Sequence, residues 1–104
     1  MGIPFDPNLS ALFRALGDDT RLLLLELLRK RDDQSLFELC GRLFEDHSVT
    51  FTRQTITRHL KILEDAGLIK TAWRGRTKVH SLTAASLKDT INPWLKPFFK
   101  GSKK

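Results

Sequence analysis

The stretch from Thr52 to Gly67, TRQTITRHLKILEDAG, reads as one amphipathic helix, and the rest of the chain makes sense as its mounting. At about 100° per residue, Ile56, Leu60 and Leu63 fall on one face, with His59 and Ala66 beside them. Gln54, Thr57, Arg58 and Lys61 fill the opposite arc. Glu64 and Asp65 close that polar arc at its C-terminal end. Their charge repels a phosphate backbone, so only the N-terminal turns can lie against a polyanion. Thr52 can cap the free N–H groups of the first turn, and Gly67 can take the left-handed conformation that ends a helix. Alone, such a helix reads equally well as a solvated surface helix packed on a core.

Charge distribution shifts that balance. The net charge of +6 over 104 residues hides a division. Residues 1–50 carry six Lys/Arg against nine Asp/Glu, a net of −3, whereas residues 51–104 carry twelve against three, a net of +9. The basic half begins with the amphipathic helix. This polarity points to an anionic partner, nucleic acid before membrane, because no segment is long and apolar enough to span a bilayer and no signal-peptide pattern opens the chain. The reading places the protein in the cytoplasm. A chain of this length forms one domain with a modest core, a size at which a second subunit often supplies missing burial.

Along the chain, residues 1–7, with Pro4 and Pro7, form an irregular arm. Leu9, Leu12, Phe13 and Leu16 recur at helical spacing from Asn8, and Gly17 closes this first helix. Asp18 or Asp19 caps a second helix to about Arg31, which Leu22, Leu24, Leu25, Leu27 and Leu28 make the most buried element. Leu23 adds an apolar side chain on a further face, for a partner subunit or for the surface. Asp32 and Asp33 form a polar turn. Ser35 caps a third helix from about Leu36 to Phe44 that turns Leu36, Leu39, Cys40 and Leu43 inward. Glu45 to Phe51 connect it to the amphipathic helix.

After Gly67 the period changes from helical to extended. Leu68 to Trp73 and Thr77 to Leu82 read as strands joined through Arg74-Gly75-Arg76, a hairpin with glycine at its tip. Thr83 caps a last helix containing Leu87 and Ile91. Pro93 and Pro97 lack the amide hydrogen, so this helix must end, kink or restart there, with Asn92 as a possible new cap. Trp94, Leu95 and Phe98 follow, and Lys100 to Lys104 form a basic disordered tail.

Three helices followed by a basic hairpin make a mainly α fold with a small β-hairpin, a winged helix-turn-helix over residues 8–99. In that arrangement the third helix braces the fourth, whose N-terminal part fits the major groove of double-stranded DNA, and the hairpin reaches adjacent phosphates or the minor groove. Arg58 and Gln54 can donate in pairs to guanine or adenine edges, and Thr57 can meet a thymine methyl or a phosphate. Lys61 and Arg53 suit the backbone, as do Arg74 and Arg76 at the hairpin tip.

The runs Leu12-Phe13-Arg14-Ala15-Leu16-Gly17-Asp18-Asp19-Thr20-Arg21, Thr55-Ile56-Thr57-Arg58-His59-Leu60-Lys61-Ile62-Leu63-Glu64-Asp65-Ala66-Gly67-Leu68-Ile69 and Arg74-Gly75-Arg76 resemble the ArsR-type (arsenic-repressor-like) winged-helix transcriptional regulators. The second run is the most specific of the three. The resemblance covers roughly residues 9–95. It implies a homodimeric bacterial regulator that binds a palindromic operator and usually represses, with the terminal helices forming the dimer interface: Leu9, Leu12 and Phe13 on the first helix, and Leu87, Ile91, Trp94, Leu95 and Phe98 on the last. The chain departs from the family pattern at two places. The connection from Leu43 to Thr52 is several residues longer than the usual tight turn and carries the apolar Phe44, Val49 and Phe51. Many family members also sense metal through a Cys-x-Cys pair on the third helix, or through Asp, His and Glu ligands on the last, and neither pattern is present.

Cys40, His47, His59 and His80 show no ligand spacing, so no metal and no cofactor is expected. A metal-responsive repressor with an unusual site stays open as an alternative, as does a winged helix used as a protein-interaction module. The single cysteine, Cys40, excludes an intramolecular disulfide and reads as a small core residue. His59 is expected to pack at the edge of its helix rather than touch a base. No nucleophile motif, phosphate loop or paired carboxylates suggest an enzyme. An unidentified effector remains possible, with a small pocket among Trp94, Phe98 and Phe99 as one place for it.

Overall fold

A computed structural model of the chain describes residues 2–100. The chain folds in the order α1 (Leu9–Leu16), α2 (Asp19–Lys30), β1 (Gln34–Ser35), α3 (Leu36–His47), α4 (Arg53–Asp65), β2 (Ile69–Arg74) and β3 (Thr77–Leu82). A π-helical turn over Leu87–Ile91 then runs into α5 (Asn92–Lys100). The disordered tail expected at Lys100 to Lys104 lies outside the described residues from Gly101 on, and Lys100 closes α5. Residues 2–7 form neither helix nor strand. Asp6 among them accepts from the Asn8 N–H through its carboxylate at 2.8 Å and from the Leu9 N–H through its carbonyl at 3.0 Å. These bonds occupy backbone donors that α1 leaves open.

Local chemistry sets the helix starts. Asp18 accepts from the Arg21 N–H at the head of α2, and Thr52 from the Thr55 N–H at the head of α4. Ser35 and Glu38 form a reciprocal capping box on α3, with bonds of 3.1 and 2.9 Å. The core gathers Leu12 of α1, Leu24 and Leu28 of α2, Leu39 and Leu43 of α3, Ile56, Leu60 and Leu63 of α4, and Leu68 and Ile69 at the start of the hairpin. α2 packs against α3, α4 and β3, which makes it the central support of the domain.

Four local expectations are corrected. Leu22 is 43% exposed rather than inward. A run of four consecutive leucines cannot occupy one helical face, and Leu22 lies about 160° from the buried Leu24. Leu23, on the intermediate arc, is partly buried against the core. The hairpin gains a third strand, giving the antiparallel order β1-β3-β2, with Gln34 opposite His80 and Ser35 opposite Val79. Two residues are too few to show a strand period in sequence.

α3 runs to His47 instead of ending at Phe44, so much of the apparent long connection is helix. It stops at Ser48, whose φ of 56° is left-handed, with the Val49 N–H bonded back to the Leu43 carbonyl at 3.0 Å. Lastly, the chain passes through Asn92 with helical φ and ψ of −59° and −45°, so Asn92 does not restart the helix as an extended cap. Its N–H donates to the Leu87 carbonyl five residues back. This wide turn directly precedes Pro93, where the ring would press on an α-helical carbonyl, and Pro97 is carried inside α5.

Candidate nucleic-acid interface

α4 exposes the polar face predicted for it. Ile56, Leu60 and Leu63 are buried, whereas Gln54, Thr57, Arg58 and Lys61 are exposed and together line one shallow surface. Arg53 is also exposed, and its guanidinium sits 5.8 Å over the Phe37 ring of α3. At the C-terminal end, Lys61 pairs with Asp65 at 3.1 Å, and Glu64 accepts from the Thr71 hydroxyl at 3.1 Å. Asp65 holds the Lys61 ammonium above its ordinary pKa, so Lys61 is cationic throughout the neutral range. This exposed pair contributes little stability and opens readily toward a phosphate.

One side chain that periodicity does not single out ties α4 to the first two helices. Arg21 on α2 donates to the Ala15 carbonyl at 2.7 Å and to the Arg14 carbonyl at 3.0 Å, so it occupies the C-terminal end of α1. Its remaining arm reaches His59 Nδ1 on α4 at 3.1 Å. A guanidinium has no acceptor, so Nδ1 accepts and the ring hydrogen sits on Nε2. His59 is thus engaged at the helix edge, turned to Arg21 rather than aligned with the exposed polar row.

The hairpin is tight. Arg74 pairs with Thr77, which leaves Gly75 and Arg76 as the loop, and positive φ at Gly75 alone (63°) is the pattern of a type II′ turn. Arg76 is exposed and makes no ion pair among the described residues. Arg74 is different: its guanidinium is engaged by the Asp33 carboxylate, just before β1. Asp33 has a φ of 59° and also accepts from the Ser81 hydroxyl at 2.7 Å. The Ser81 hydrogen bond, with the Arg74 charge behind it, holds the Asp33 carboxyl below the usual carboxylate range. Asp33, Arg74 and Ser81 therefore latch the hairpin to the turn after α2, a link across 41 residues that no local pattern reveals.

Of the residues expected at a dimer interface, Leu9, Leu12 and Ile91 are buried within the single chain. Leu87, Trp94 and Leu95 are partly buried, and Phe13 and Phe98 are exposed at 41% and 60%. Trp94 stands edge-on to Phe13 with ring centres 5.4 Å apart, and tilted to Phe98 at 4.8 Å. Cys40 is half-buried, and burial pushes its thiol above the ordinary value despite the nearby Arg53 charge, which disfavours the reactive thiolate. Among the described residues no three His, Cys, Asp or Glu side chains group to hold a metal ion, and no helix is long and apolar enough to cross a membrane.

No family model matches the chain. The HTH-type transcriptional regulator YuzN of Bacillus subtilis is 40% identical over 88 residues, which are 85% of this chain and 96% of YuzN. An ArsR-like transcriptional regulator from Rhodococcus sp. RHA1 superposes with a TM-score of 0.71 and 29% identity, over 89% of this chain and 79% of that one. The chain belongs to the ArsR-type winged-helix transcriptional regulators. The transcriptional repressor SdpR of Bacillus subtilis is also similar to this regulator, 31% identical over 84% of this chain and 88% of its own. In helix-turn-helix proteins generally, the second helix of the motif is the element that enters the major groove.

Proposed function

We propose that this regulator is a homodimeric repressor that reads an inverted-repeat operator through the N-terminal turns of α4. The observation that carries the reading is the single exposed face shared by Gln54, Thr57, Arg58 and Lys61, which ends at the acidic pair Glu64 and Asp65. Arg58 and Gln54 read base edges, Thr57 and Lys61 meet methyl or phosphate groups, and Arg53 approaches the backbone. Arg76 at the hairpin tip neutralises a flanking phosphate. Arg74 acts through its latch to Asp33, holding the hairpin at the height at which Arg76 reaches the duplex. Residues 8–99 form the DNA-binding and dimerisation domain, and the similarity to SdpR supports repression as the direction of control.

The dimer reading rests on the aromatic face of Phe13, Trp94 and Phe98, which brings α1 and α5 together at one surface. Fluorescence anisotropy with labelled genomic and random duplexes across a salt series tests the function. A DNA reader gives a steeply salt-dependent background and a few much tighter fragments. Absence of any binding at low salt favours instead a protein-interaction module, for which the exposed Phe44 and Phe51 beside a cleft of about 210 Å³ would be the docking surface.

A further inference from the structure

A cleft of about 630 Å³ lies between the first turn of α3, the exposed side of α4 and the hairpin. This volume falls within the range of about 300–1,000 Å³ typical of small-molecule sites. Leu36, Phe37, Leu60 and Trp73 give it apolar walls, and Trp73 is 68% exposed, an unusual position for an indole with nothing to cover it. Three cations, Lys61, Arg76 and Lys78, also line it against the single carboxylate of Glu64, which Thr71 already engages. Arg76 and Lys78 make no ion pair among the described residues.

His80 completes the wall and is only 6% exposed. Its Nδ1 lies 2.9 Å from the Gln34 carbonyl, and a carbonyl only accepts, so Nδ1 carries the hydrogen. Nε2 is left as an acceptor with no hydrogen-bond partner among the described residues, on a side chain that lines the cleft.

We propose that this cleft binds a small aromatic carboxylate that also carries a hydroxyl. The ring lies against Phe37 and Trp73, the carboxylate meets Lys78 and Arg76, and the hydroxyl donates to His80 Nε2. Thr57, Lys61 and Arg76 belong both to the cleft and to the proposed DNA face, so an occupied cleft competes with DNA. That consequence rests on the function proposed above, whereas binding to the cleft does not.

The probe is 6-hydroxy-2-naphthoate, titrated into the full chain while the His80 ring and Trp73 indole resonances are followed by NMR. Saturable shifts at both are expected. Removing one recognition element, by using 2-naphthoate or 2-naphthol or by Lys78→Ala, weakens binding by about fivefold or more, the equivalent of one net hydrogen bond or ion pair. Trp73→Ala, a change at an exposed side chain that leaves the core intact, lowers affinity similarly and is read at His80. No saturable shift at His80, or equal affinity for the probe and both comparators, overturns the site. In a parallel arm the probe displaces a labelled random-sequence duplex at low salt. Probe binding that leaves DNA affinity unchanged overturns the competition. A chain that binds the probe but no duplex retains the cleft and removes the DNA reading.

Discussion

Gly67 concentrates more constraint than any other glycine in the described chain. Its φ is +76°, and a Cβ there would stand 2.6 Å from the Ser86 hydroxyl oxygen, which donates to both the Ala66 and Gly67 carbonyls. Gly67→Ala therefore meets left-handed strain and breaks a cap together, and should destabilise the fold by roughly 1–2 kcal/mol or more, read as a lowered midpoint in urea. Ser48 presents the converse case, a left-handed residue with a side chain. Ser48→Gly should stabilise by roughly 0.5 kcal/mol, and an unchanged or lowered midpoint would contradict this account of the α3 cap. The role of Gly67 was legible because a glycine after a periodic run implies a C-terminal cap. Ser48 was not, because nothing in Asp46-His47-Ser48 signals a stop. Arg74 was half-legible: its place at the hairpin tip follows from local pattern, but its partner Asp33 is distant in sequence and only the folded sheet brings them together.

At the scale of elements, carboxylates that cap helices link stability to pH. The Arg21 backbone N–H holds the Asp18 carboxyl below its ordinary pKa, and the Ser35 N–H does the same for Glu38. A folded pKa lower than the unfolded one contributes stability that is fully present above the unfolded value and is lost as pH falls through the folded value. The contribution of these two caps to the thermal midpoint should thus be constant above about pH 5 and be lost progressively below about pH 4, the ordinary carboxylate range. Asp18→Asn keeps a competent cap without the titrating charge and should flatten that acid limb. An acid limb unchanged by the substitution would remove Asp18 from the account. Helix starts were readable from sequence because Ser35, Thr52 and Asp18 each stand before an apolar period. The extent of α3 is not legible in sequence because Glu45, Asp46 and His47 suit a solvated last turn of helix as well as a loop. β1 carries no sequence signal because its two residues form a strand only by pairing with His80 and Val79.

The whole molecule divides its labour along the chain, with an acidic first half that builds the support and a basic second half that carries α4 and the hairpin. The division was visible in composition, and periodicity correctly placed the exposed row on α4. What composition and period could not supply were the long-range ties, Arg21 bridging α1 to His59 on α4 and Arg74 latching the hairpin to Asp33. The proposed dimer makes its own prediction. Phe13 is 41% exposed, so Phe13→Asp should leave the single chain folded yet shift sedimentation toward monomer and weaken binding to a two-half-site operator. On that operator, Arg58→Ala should cost roughly 1–3 kcal/mol and relax base preference, whereas Arg76→Ala should weaken all sequences alike and lower the salt slope by about one. The most direct test of the central claim is selection and sequencing of genomic fragments bound by the wild-type protein and by Arg58→Ala in parallel. The account predicts that the wild type enriches an imperfect inverted repeat with half-site centres about 34 Å, one helical turn, apart, and that Arg58→Ala loses preference at one symmetric base position. Enrichment of the same motif, equally strong, by both proteins would contradict it.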